Sequence, residues 1–259
     1  MVAPRAKSVA EEAFDELSSL VHNDWDSLDP FTLARLERAA RNGISVDPIL
    51  AHQVLGIVAA IRWDDATMDE QFGIAMRYDT GATVEENYAS TLDGVERCIE
   101  SANMYERAAN THPTDLAIWR LAMRANWQAG RWQRTLELAD VLAQRSPDEE
   151  FPHLETQKQL IAMAERNGVS LSTIETLHTA LYSFLHDRRV HSVGTTCHSD
   201  TTPGEESIYI MVRIRGDLEQ VKRLDEELTP VLFDAVDDLP LGSFCIGLVA
   251  EEREDARVS

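Results

Sequence analysis

Residues 128–147 read QAGRWQRTLELADVLAQRSP, and how they are read decides the fold of the first two thirds of the chain. Gly130 sits between two segments whose apolar residues recur at helical spacing, and Pro147 closes the second segment. That pattern is a helix, a tight turn and a second helix. A pair of this kind is either an isolated helical hairpin or one unit of a repeat, and a repeat presents a surface to a partner.

Working outward toward the N-terminus, the periodicity stays helical. A helix is expected over 8–21, with Ala10, Phe14, Leu17, Leu20 and Val21 on one face. In DPFTLARLERAARNG, Asp29 is placed to cap, Pro30 to open and Gly43 to close a second helix. SVDPILAHQVLGIVAAIRW starts the same way at Asp47-Pro48 and is apolar on most sides, as a central helix is. ATMDEQFGIAMRY predicts a short helix; 83–113 is one long helix or two; 116–128 and 131–144 form the pair, and a further helix covers 155–166.

Beyond Gly168 the period changes. SLSTIETLHTALYSFLHD is helical, with Ser170 or Ser172 as its cap. In ESIYIMVRIRG, Ile208, Ile210, Val212 and Ile214 share one face while Tyr209, Met211, Arg213 and Arg215 share the other, which is the alternation of a strand. VHSVGTTCHSD is a weaker strand and GSFCIGLVAEE a third; the helix between, 217–236, carries Pro230, which should kink or restart it. The fold class is therefore α+β: a mostly helical domain over 1–167, a small α-β-β-α-β domain over 168–251 with a three-stranded mixed sheet, and a frayed tail over 252–259. ESIYIMVRIRG is expected at the centre of the sheet, antiparallel to the hairpin strand before it and parallel to the strand after the crossover helix.

Pro147 lies 34 residues after Pro113, and 34 is the tetratricopeptide period. With Trp119 in the first helix, Gly130 and Trp132 at the turn and Pro147 at the close, residues 116–149 resemble a tetratricopeptide repeat. Over 82–113 the resemblance is partial: Ser101, Tyr105 and Ala108 suit a second helix, but the first lacks the Trp and Gly. The 116–149 unit itself departs from the family, with Thr135 and Ala139 where Ala and Phe are usual and Met123 in place of a Gly. The resemblance, confined to 82–149, implies a scaffold for protein partners with a groove that takes a peptide or helix. A groove lined by Trp119, Asn126 and Trp127 is the candidate, and the sheet face carrying Tyr209, Met211 and Arg213 is the second contact surface, toward the helical domain or another copy. Trp119 and Trp132 are expected to be buried between the paired helices.

Composition narrows the partners. The chain has 259 residues, a formal net charge of -21 and 44% hydrophobic residues, enough for a packed core. Such a charge disfavours direct binding to nucleic acid or to an anionic membrane, and permits a basic protein partner. The three cysteines, Cys98, Cys197 and Cys245, are too few and scattered for a disulfide framework, so a reduced, cytoplasmic setting is expected. The N-terminus turns acidic without a signal-type apolar core, and VLGIVAAI is too short to span a bilayer.

Reactive residue types cluster once, in Cys197-His198-Ser199-Asp200. Neighbours on a strand point to opposite faces, so Cys197 and His198 do not pair locally; His191 shares the parity of Cys197. The cluster has no second pair of metal-type ligands, and GTTCHSDTTPG lacks the lysine of a phosphate loop. His178 and His186, eight residues apart, share a helix face. Residues 217–259 hold twelve Asp or Glu against four Lys or Arg, a surface that could mimic a phosphate backbone. The favoured expectation is a non-enzymatic adaptor or chaperone-like protein, without cofactor or metal, that binds a protein partner and can pair with itself. Its alternatives are an acidic antagonist of a basic protein and a thiol or metal enzyme built on Cys197 and His198. Cys245 is expected to be a packed, inert thiol and Cys197 the more reactive one.

Overall fold

The computed structural model describes residues 7–23, 25, 28–79, 81–147, 151, 153–201, 206–237 and 242–251. The tail over 252–259 and most of the turn between the first two strands lie outside them. Helices fill the first two thirds: α1 (Val9–Asn23), α2 (Pro30–Gly43), α3 (Pro48–Ile61), α4 (Asp65–Tyr78), α5 (Thr83–Gly94), α6 (Cys98–Thr111), α7 (Leu116–Gln128), α8 (Trp132–Arg145) and α9 (Leu154–Arg166). The rest is α10 (Leu171–Arg188), β1 (Ser192–Asp200), β2 (Ser207–Arg215), α11 (Leu218–Ala235) and β3 (Phe244–Glu251). The class is α+β, as the alternation of periods predicts.

Local chemistry sets the boundaries. Asp29 accepts from the backbone N–H groups of Phe31 and Thr32, Asp47 from Leu50, Asp115 from Ala117 and Ile118, and Ser170 from Thr173. Gly43 does not stop α2 in a left-handed turn; Ile44 continues right-handed. The glycine serves close packing instead, since a Cβ there would sit 2.7 Å from the Cβ of Ala10 on α1. Residues 83–113 form two helices, α5 and α6, because the backbone at Glu96 turns left-handed. Helix α11 runs through Pro230 as one helix. Pro230 is on the solvent side, where the carbonyl it leaves without a partner can bond water.

Each of the first nine helices packs on the next, and α3 also touches both α1 and α5. Helices α3, α5 and α7 begin at Pro48, Thr83 and Leu116, steps of 35 and 33 residues. Asn87 of α5 donates to the amide oxygen of Gln53 on α3 at 2.7 Å, and the two residues are 34 apart. Successive hairpins thus place equivalent positions of their first helices side by side. Between α7 and α8, Gly130 has φ +75°, and a Cβ there would lie 2.7 Å from the His178 ring of α10. The turn therefore requires glycine for both its dihedral and its packing.

The sheet order is β1-β2-β3, with β1 antiparallel and β3 parallel to the central β2. Ile208, Ile210, Val212 and Ile214 are buried together with Phe244, Ile246 and Leu248, beneath α10 and α11. Two hydrophobic cores result. One is enclosed by α1 to α5; the other joins Ala89 of α5, and α6 to α9, with α10, the sheet and α11. The second core passes without interruption through residue 168, and Met104 on α6 touches both cores.

Candidate functional site

The first helices of the first three hairpins enclose a cleft. Its walls are Phe14 and Val21 of α1, Trp25, Ile57 of α3, and Asn87, Ser90 and Asp93 of α5; the segment His191–Val193 and Arg215 at the ends of β1 and β2 close it. Its volume is ≈ 610 Å³, within the range of sites that hold a small molecule or a few residues of a peptide. Aromatic and aliphatic carbon lines one part, and amide, hydroxyl and carboxyl groups converge on the other.

The backbone around this cleft is unusual. Among the described residues, the non-glycine residues with positive φ are Trp63 (56°), Glu96 (65°) and Arg189 (55°). All three follow helices, α3, α5 and α10, that end where the helical array meets the start of β1. Left-handed backbone is uncommon outside glycine and persists where the surroundings hold it. Here the surroundings are specific. Trp63 stacks on His191 with ring centroids 4.5 Å apart, and Trp25 tilts against the same ring at 5.4 Å. His191 Nδ1 donates to the Gly94 carbonyl at 2.6 Å. The Glu96 carboxylate accepts from both the backbone N–H and the hydroxyl of Ser192. His186 lies between the Val95 carbonyl (2.7 Å) and the Asp65 carboxylate (2.9 Å).

Burial shifts the carboxyl groups of this corner. Removal from water pushes Glu96 up to about 8, against the two hydrogen bonds from Ser192. It pushes Asp93 up to about 6, with Arg124 partly opposing. Asp93 faces the cleft. A desolvated carboxyl group at the wall of a partly apolar cleft is a natural seat for a cationic or hydrogen-bond-donating group.

The residues singled out in the sequence fall elsewhere. Trp119 is 5% exposed, and the Arg145 guanidinium lies 4.4 Å over its ring. Asn126 is fully buried and donates to Glu106 and to the Ala122 carbonyl, both at 2.9 Å. Arg134 of α8 forks onto the same Glu106 carboxylate, so Glu106 of α6 ties three helices together. Trp127 is half-buried, stacked on Trp132 at 4.4 Å and within reach of the Cys197 thiol. Trp119 and Asn126 are thus part of the internal packing, while Trp127 keeps one part of its ring at the surface. Tyr209, Met211 and Arg213 do lie on one sheet face, half-exposed: Tyr209 stacks on His198 at 5.2 Å, and Arg213 pairs with Glu251 at 3.2 Å.

Cys197 points into the second core and His198 away from it, so the two do not converge. His191 is not beside Cys197 either; it precedes β1 and stacks between tryptophans. His178 is buried, its Nδ1 donating to the Ile174 carbonyl, and burial lowers it to about 4. The expectation for the thiols is reversed. Cys245 is exposed, because β3 turns it to the uncovered face with Tyr209, while burial pushes Cys197 up to about 12.

Sequence reasoning missed Trp25, Trp63, Asp93, Glu96 and His191. Nothing local marked them, since they meet only when residues almost a hundred apart pack together. No family model matches this chain, and neither a curated protein nor a solved structure does. Among the described residues no helix is long and apolar enough to cross a membrane.

Proposed function

We propose that the protein is a non-enzymatic adaptor that holds a segment of a protein partner in the cleft between α1, α3 and α5. The observation that carries this reading is the cleft itself: the equivalent first helices of three successive hairpins line it. That is the surface through which a tetratricopeptide-like array takes a peptide. The occupant is an extended segment with an apolar anchor against Trp25 and Ile57 and a lysine or arginine toward Asp93. A chain of net charge -21 attracts such a segment and repels acidic ones. This cleft is preferred to the groove expected at Trp119, Asn126 and Trp127, since Trp119 and Asn126 are buried and Trp127 is half-buried against Trp132.

A photo-crosslinking residue at Ser90, on the cleft wall, tests the reading in the protein's own cell. It should trap a partner that the same residue at Arg77, exposed on α4, does not trap. Asp93→Asn, which removes the charge without enlarging the side chain, should weaken the Ser90 crosslink while the melting temperature stays near that of the parent. Equal crosslinking from Ser90 and Arg77 would sink the proposal.

A further inference from the structure

A second cavity, of ≈ 370 Å³, lies between the entry to α6 and one face of α10. That volume is at the small end of the range for small-molecule sites. Residues 96–100 form one wall. His178, Tyr182 and His186, four residues apart along α10, form the other, with Ala129 of the α7–α8 turn beside them. The cavity and the cleft share no lining residue, so this site does not rest on the adaptor reading.

Most polar groups around the cavity are already engaged. The Glu96 carboxylate holds Ser192, and Arg97 is tied to Asp69 and Glu100. The Tyr182 hydroxyl is bonded to Thr195 Oγ1, and His186 lies between the Val95 carbonyl and Asp65. Two sets of groups are left. His178 is 1% exposed, and its Nδ1 donates to the Ile174 carbonyl, so Nε2 carries a lone pair. Among the described residues nothing donates to Nε2, although a buried polar atom ordinarily has a partner. The Gly130 turn backs onto the Cβ, Cγ and Nδ1 side of the ring, which leaves the Nε2 edge to the cavity. The second set is the start of α6, which opens without a side-chain cap. Among the described residues none accepts the backbone N–H groups of Cys98, Ile99 and Glu100.

We infer that this cavity binds a small neutral molecule with a carboxamide group and an apolar body. The amide N–H donates to His178 Nε2, and the amide carbonyl accepts from the entry to α6. The apolar body packs on Ile99, Ala129 and the Tyr182 ring. A carboxylate fits worse: it offers Nε2 no donor, and Glu100 and Asp187 stand at the rim in a chain of net charge -21. A bare hydrocarbon leaves both sets of polar groups unpaired. Burial lowers His178 to about 4, so at neutral pH Nε2 keeps its lone pair.

Benzamide is the probe. Titrated into the full chain, it should bind at one site with a Kd of about 1 mM or tighter, the reach of so small a ligand. In amide NMR spectra residues 98–100 should shift, and Asn87 and Ser90 on the cleft wall should not. Benzoate has the same shape without the donor and should bind about tenfold more weakly. His178→Leu removes the acceptor and should erase that difference. His178 is packed in the core, so a second variant uses the exposed rim: Ser183→Trp should fill the cavity and abolish the shifts while the melting temperature stays near that of the parent. Absence of benzamide binding overturns the inference. So does benzoate binding as tightly, a preference that survives His178→Leu, shifts confined to the cleft, or shifts that persist in Ser183→Trp.

Discussion

Glu96 combines a left-handed backbone, near-complete burial and two hydrogen bonds from Ser192, and it fixes the corner of α5 and α6 to the start of β1. Its carboxyl group titrates near 4.5 in an unfolded chain and about 8 in the folded one. Between those values the folded state binds the extra proton, so stability falls as pH rises. His178, lowered to about 4, has the opposite sign and still offsets about 0.4 kcal/mol above pH 6.5, where half of the unfolded histidine is protonated; the effect of Asp93, raised to about 6, is nearly complete there. From pH 6.5 to 8 Glu96 dominates these three, and the chain should lose about 1–2 kcal/mol over that interval. Denaturant midpoints at the two pH values measure it. Glu96→Gln keeps an acceptor for Ser192 and should flatten the dependence; an unchanged slope would assign it to other groups. The thiols give a second test at this scale. Cys245 is exposed, whereas Cys197 is pushed up to about 12 in the core, so native alkylation should label Cys245 first. Labelling of Cys197 ahead of Cys245 would contradict the strand orientations.

At the scale of elements, the α7–α8 hairpin depends on one ring. Trp132 is fully buried, stacked on Trp127 and edge-on to His178 of α10. Trp132→Ala should cost about 3–5 kcal/mol, read from the shift in denaturant midpoint. A loss below about 1 kcal/mol, the size of a surface change, would mean that the hairpin does not rest on this ring. Trp132 and its burial were legible in the sequence, as were the helices, the sheet order and the inward face of β2, because each follows from a local period, a cap or a turn glycine. The site was not legible in that way. Trp119 and Asn126 carry the residue types of a binding surface, but helix register turns both inward, where the Arg145 guanidinium covers the Trp119 ring and the Asn126 amide nitrogen donates to Glu106. Cys245 shows the same limit: parity separated it from Phe244 and Ile246 but could not say which face of β3 would be covered. The cleft lies between elements far apart in the sequence, and only tertiary packing brings His191 to Gly94 and Trp63.

At the scale of the whole molecule, the change of secondary-structure period near residue 168 and the division of the cores do not coincide. Helices α6 to α9 bury Trp132, Leu138, Leu160 and Met163 in the same cluster as Leu177, Leu181 and Ile210. The helices α1 to α5 close a separate core, joined to the rest through Met104 and the Glu96–Ser192 and His186–Asp65 contacts. A fragment ending at 167 therefore keeps the first core and loses α10, the cover of the second. It should retain helical circular dichroism, bind a hydrophobic dye that the full chain does not, and self-associate through the uncovered face. The full chain should lose the tertiary signal of Trp132 and that of the sheet together, since both sit in one core. If the 1–167 fragment is monomeric, excludes the dye and melts at the temperature of the full chain, the helical array is an autonomous domain. The junction with β1 would then serve only to close the cleft, with no part in holding the second core together.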